Sequence, residues 1–206
     1  MALFSRQADR ESGQPASRQS ISSPAFANLW VRLAAERKYH ILDLGKASSR
    51  NLNFYSSLRC KLFIGELLPA IHAWRAAAAD EELLSLSLPA LLGIDGLGDL
   101  DLVMCWDCLN YLDEKLLAQF SSSLHHYMRP GGFVHAFITT HANMPAAPAA
   151  FHIVAPSRME FEHPHGGEVN APNYPQRRLA ALMQGFAVRE SRLLQSGMQE
   201  YVFCSQ

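Results

Sequence analysis

The stretch "ILDLGKASSRN", Ile41 to Asn51, decides how this fold is read. An apolar run closes on Asp43, Leu44 and Gly45, and Ser48 and Ser49 follow with the hydroxyls that cap helices. A buried strand, a tight turn and a helix start form the junction that nucleotide-cofactor folds usually pave with glycine. Only Gly45 remains of that paving, because Ala47 and Ser49 stand where two further glycines are expected. A phosphate loop of the P-loop type needs another glycine five residues before Gly45, and His40 stands there. "GKAS" keeps only the weaker anion affinity of a helix N-terminus.

Reading outward, strand and helix patterns alternate. Phe26, Leu29, Trp30 and Leu33 have helical spacing and predict a helix over 26–36. His40–Leu44 is a first strand, and a helix carrying Leu52, Tyr55 and Leu58 follows it. "CKLFIGE" (60–66) is a second strand, and a helix over 69–79 starts at Pro69. A short third strand is expected near Leu84–Leu88, then a loop with Gly93, Gly96 and Gly98. "DLDLVMCW" (99–106) is the next buried strand, and Asp113 caps a helix with Leu116, Leu117, Phe120 and Leu124 on one face. "MRPGG" (128–132) is the turn into the strand "FVHAFITT". Residues 141–175 lose periodicity and hold six of the eleven prolines. A helix over 176–184 and two strands, 186–194 and 198–204, complete the chain. The link around Gly197 is too short for a parallel crossover, so these two strands pair antiparallel.

This alternation predicts an α/β fold. It is a doubly wound, mainly parallel, seven-stranded Rossmann-like sheet with an antiparallel last strand and helices on both faces. Residues 1–23, rich in Ser, Gln and Arg, read as a flexible tail, and residues 24–206 as one domain. The 206 residues, 49% of them hydrophobic, suffice for one sizeable core. A net charge of −1, from 18 basic and 19 acidic residues, argues against a nucleic-acid or membrane field. No apolar run approaches the roughly 18 residues of a membrane span, and the N-terminus lacks the apolar core of a secretory signal. Four cysteines are too few for a disulfide scaffold, so the expected compartment is the reducing cytoplasm.

Four features together resemble the class I S-adenosylmethionine-dependent methyltransferases, over residues 26–206. "ILDLG" resembles the family's first strand and cofactor loop. Glu66, about twenty residues on, stands where the family places the acid for the ribose hydroxyls. "DLDLVMCWDCLNYL" resembles the fourth strand with its turn, and "MRPGGFVHAFI" the fifth strand with the L-x-P-G-G turn before it. The resemblance implies S-adenosylmethionine as cofactor. Gly45 then admits the cofactor's methionine part, and Glu66 accepts the ribose hydroxyls. Asp43 fixes loop amides or the cofactor's ammonium, Lys46 pairs with its carboxylate, and Ala47 lies against it. Asp107 faces the same crevice. Methyl transfer needs alignment more than a dedicated triad. His141, at the carboxyl end of the fifth strand, is the candidate general base, and Tyr111 a core-edge aromatic that is a candidate substrate or adenine contact.

The substrate expected from this reading is a small molecule or a protein side chain. The N/D-P-P-Y/F signature of nucleic-acid amino-methylating enzymes is replaced by "DCLNYL". The depleted glycines, Lys46 and the tail also support a non-catalytic methyltransferase-like module that binds a protein partner, and a third reading is a nucleotide-sensing domain using the same crevice. "CWDC" (105–108) has redox or zinc spacing but no second pair, and reads as two small buried residues. Five of nine histidines fall within 135–165, and "EHPHGGE" reads as a substrate-side loop, with no metal expected. Residues 141–175 are expected to form the lid or substrate loop.

Overall fold

The computed structural model describes residues 18–33, 37–77 and 87–206. Its main sheet has six strands among them: β2 (Tyr39–Asp43), β3 (Cys60–Ile64), β4 (Leu100–Trp106), β5 (Met128–Thr139), β10 (Phe186–Leu193) and β11 (Met198–Ser205). The order is β10-β11-β5-β4-β2-β3. β3, β2, β4 and β5 run parallel, and β11 pairs antiparallel with both β5 and β10. A seventh strand is not seen among the described residues. Leu84–Leu86 lie outside the described residues, and Leu88, expected in that strand, instead opens a short helix, α4 (Leu88–Leu92), with Pro89 in its first turn.

Side-chain alternation along each buried strand supplies two cores. Leu42, Val103, Ala136 and Phe203 face one side, covered by α3 (Leu67–Ala77), α4, α5 (Glu114–His126) and α6 (Gln176–Leu182). Ile41, Leu102, Met104, Phe137 and Val202 face the other. There α1 (Pro24–Arg32) and α2 (Ser49–Tyr55) lie beside a small antiparallel sheet, β1 (Gln19–Ser22), β8 (Arg158–Glu162) and β7 (Ala150–Ala155). The capping signals act as their chemistry requires: Asp113 accepts from the Leu116 amide at 2.8 Å, and Ser48 from the Asn51 amide. The "MRPGG" turn becomes a bulge inside β5. Leu100 pairs with Met128 and Leu102 with Phe133, and a Cβ on Gly132 would stand 2.7 Å from the Leu100 carbonyl.

Two expectations are corrected. Residues 18–23 are not tail, since β1 pairs with β8 and Ser23 is buried; residues 1–17 lie outside the described residues. Residues 141–175 are not irregular. They contain β7, β8 and an antiparallel ladder between β6 (Asn143–Pro145) and β9 (Glu168–Asn170). Short strands broken by prolines leave no period to read.

Glu200, fully buried on β11, explains why the chain before α1 is ordered. Its carboxylate accepts from the Ala25 and Phe26 amides, each at 3.0 Å, and from the Ser23 hydroxyl. A carboxylate 175 residues away thus caps α1, where the helix dipole favours negative charge. His135 Nε2 lies 2.9 Å from the same group. Burial would raise the Glu200 pKa, but the bonds from His135, Ser23 and Ala25 outweigh it and hold the carboxyl below its usual range. The stabilisation is therefore present above the unfolded-state pKa, about 4.3, and is lost as pH falls through the folded value. Glu200→Ala, which strands these donors, should lower stability by about 3–5 kcal/mol at neutral pH. The gap from wild type should narrow as acid protonates Glu200, which urea unfolding followed by circular dichroism will measure.

Candidate active-site crevice

The carboxyl ends of β2, β3 and β4 open onto one crevice, as parallel sheets provide at their switch point. Asp43, the last residue of β2, is 2% exposed and turns inward. Its Oδ1 accepts from the Gly45 amide at 2.9 Å and from Trp106 Nε1, and its Oδ2 accepts from the Tyr55 hydroxyl at 3.2 Å. Burial pushes the Asp43 pKa up, and these three donors oppose that. Tyr55 is pushed well up, by burial first and then by Asp43. Of the two roles expected for Asp43, fixing loop amides is the one its protein contacts fill.

Trp106 ends β4 in a left-handed backbone conformation, φ +51°. A Cβ on Gly45 would lie 2.7 Å from the indole. Gly45 is thus required by the protein's own tryptophan, not only by a ligand. The indole stacks on Phe151 of β7 at 5.3 Å, and Phe151 stacks on Phe137 and Phe161. This aromatic row seats residues 150–162 on the sheet. The Asn51 side chain bonds both the Phe151 carbonyl, at 3.0 Å, and the Ile153 amide, at 2.9 Å. Ser48 meets His152 at 3.0 Å. The helix that follows the loop therefore grips the cover directly.

Between loop and cover lies a pocket of about 290 Å³, at the small end of ligand sites. Gly45, Lys46, Glu66 and Trp106 line one wall, and Pro148–Ala150 with Glu162–His165 line the other. Glu66 is exposed and makes no side-chain hydrogen bond with any described residue. Lys46 and Ala47 are exposed too, so neither fills the crevice. Ala47 is not among the pocket-lining residues.

The other sequence candidates lie elsewhere. Asp107 is 5% exposed, accepts from the Ala149 amide at 3.0 Å and clamps the cover instead of facing the pocket. Its other oxygen is enclosed without a partner, and burial raises its pKa to about 7. His141 is exposed beside Gly197, with Nε2 3.3 Å from the Ser196 carbonyl. Tyr111 donates to the Pro145 carbonyl at 3.1 Å. Neither lines the pocket. Cys105 and Cys108 are buried and free, and burial raises both thiols. Among the described residues no group of three or more His, Cys, Asp or Glu is arranged to hold a metal. Sequence reading missed Trp106, Asn51 and Phe151. Trp106 alone had a signal, its place just before Asp107 at a strand end.

The chain superposes on solved structures along most of its length. The chain has the class I methyltransferase fold. An S-adenosylmethionine-dependent methyltransferase from Mesorhizobium loti superposes with a TM-score of 0.53 at 16% identity, over 88% of this chain and 96% of that one. A Pyrococcus horikoshii protein gives 0.52 at 9% identity, over 88% and 89%. An S-adenosylmethionine-dependent methyltransferase from Methanosarcina mazei gives 0.50 at 12%, over 86% and 96%. At these identities the likeness is one of fold. No family model and no curated protein matches the chain. No described helix is long and apolar enough to cross a membrane.

Trp106→Phe keeps the stack but removes the indole donor from Asp43. It should lower stability by about 1–3 kcal/mol, the cost of a buried carboxylate oxygen losing its partner. Chemical denaturation read by circular dichroism will measure it. An unchanged midpoint contradicts the role given to Asp43.

Proposed function

We propose that the crevice binds S-adenosylmethionine and that the chain is a methyltransferase acting on a small molecule or a protein side chain in a reducing, cytoplasmic setting. The observation that carries this is the pocket bounded by Gly45 and by the exposed carboxylate of Glu66 at the carboxyl ends of β2 and β3. The residues fit the cofactor. Glu66 accepts hydrogen bonds from vicinal ribose hydroxyls, which its charge strengthens. Lys46 pairs with the amino-acid carboxylate. Gly45 keeps side chains off the loop, and Leu67 and Leu68 give the pocket an apolar wall. Asp43 acts through Gly45, holding the loop, because its oxygens already have protein donors. Ala149, held by Asp107, keeps water from the far wall. The cofactor, when bound, supplies an electrophilic methyl group on sulfur. Near-neutral net charge favours a small or protein substrate over nucleic acid.

One observation favours a second reading, a non-catalytic module that keeps the fold for partner binding. The aromatic row of Trp106, Phe151 and Phe137 is 0–5% exposed and fills the space above β4 and β5. His141 and Tyr111, the expected acceptor-side groups, stand outside the pocket.

Calorimetric titration with S-adenosylmethionine and S-adenosylhomocysteine separates the two. The first reading expects micromolar binding by the wild type and a loss of roughly tenfold or more in Glu66→Ala, the worth of a charge-assisted hydrogen bond. Absence of heat and of any thermal shift at millimolar cofactor sinks it and leaves the second standing.

A further inference from the structure

His163 is a pocket residue to which the reading above gives no task. It follows the last residue of β8 and lies on the wall formed by Glu162–His165, across from Gly45 and Glu66. Its ring sits edge-on to Phe161, with centroids 5.1 Å apart and planes at 76°. Phe161 stacks on Phe151, and Phe151 on Trp106, which is bonded to Asp43. The orientation of His163 is therefore fixed by the row of rings that starts at the cofactor-type loop.

Its Nδ1 is enclosed and has no hydrogen-bond partner. An enclosed N–H without an acceptor is rarer and costlier than an enclosed lone pair without a donor. Nδ1 therefore carries the lone pair, and the hydrogen sits on Nε2. Protonation would place an unpaired N–H in the enclosed position, and burial lowers the His163 pKa in agreement. The ring exchanges hydrogen bonds with a ligand only through Nε2, as a donor. Around it on the pocket walls stand Lys46, Glu66, Glu162 and His165. Glu162 is already paired with Arg18.

We propose that His163 is a specificity residue of this pocket, donating its Nε2–H to an acceptor atom of the bound adenosyl ligand. The inference rests on the reading that the crevice binds such a ligand. The assignment makes the cover part of the recognition surface as well as a barrier to water. It also gives the "EHPHGGE" segment a task that no metal is needed to explain.

Titration with S-adenosylhomocysteine and with adenosine, on wild type, His163→Phe, His163→Ala and His163→Gln, tests this. His163→Phe keeps the aromatic contact with Phe161 and removes the donor. It and His163→Ala should weaken S-adenosylhomocysteine about five- to tenfold, the worth of one neutral hydrogen bond. His163→Gln, whose amide donates, should recover most of that loss. An equal loss for adenosine puts the acceptor on the nucleoside, and no loss for adenosine puts it on the amino-acid end; either supports the assignment. Unchanged S-adenosylhomocysteine affinity in His163→Phe and His163→Ala, with the Glu66→Ala loss intact, overturns this inference and spares the reading beneath it. A wild type that binds no S-adenosylhomocysteine overturns both.

Discussion

The buried carboxylate of Asp43 ties the loop and the end of α2 to the distant end of β4. It accepts from Gly45 in the loop, from Tyr55 at the end of α2 and from Trp106 at the end of β4. A carboxylate this buried is tolerated only when its lone pairs are filled. That requirement fixes the shape of the crevice. Gly45 must lack a side chain because the indole lies against it, and Trp106 must take up a strained backbone conformation to reach Asp43. In cofactor loops glycine usually makes room for a ligand. Here it also makes room for a tryptophan, so the glycine at position 45 is required whether or not a ligand is bound.

The same constraint extends to the cover. Trp106 offers a flat face to Phe151, and the stack runs on to Phe161 and edge-on to His163. Asn51 and Asp107 add hydrogen bonds to the cover's backbone, from α2 and from the turn after β4. Loop, helix and cover are thus one packed unit, so a change in the loop is felt at the far wall of the pocket. The pocket is small because this unit occupies the space above β4 and β5, and what remains is the part beside β2 and β3, where Gly45 and Glu66 stand.

Much of this was legible in the sequence. "ILDLG" and "DLVMCW" read as buried parallel strands because both faces are covered, which leaves continuous apolar runs. Ser48 and Asp113 announced their helices because caps are local chemistry. The short Gly197 link forced β10 and β11 antiparallel. What escaped depends on contacts between distant residues. Nothing near Ser23 signals that Glu200 will cap α1, and nothing near Asn51 signals that its amide will meet β7. Asp107 and His141 were placed by strand position alone. Position fixes the end of the sheet a residue occupies but not which way its side chain turns, and one turns to the Ala149 amide and the other to the Ser196 carbonyl.

The most direct test of the account is a crystal structure with S-adenosylhomocysteine bound. The ligand should lie between Gly45 and Glu66 beneath Pro148–Ala150, its ribose hydroxyls on Glu66, with Trp106 still donating to Asp43 and no ligand atom on that carboxylate. A tryptophan swung away and a ligand ammonium seated on Asp43 would contradict it, as would an empty crevice at saturating ligand.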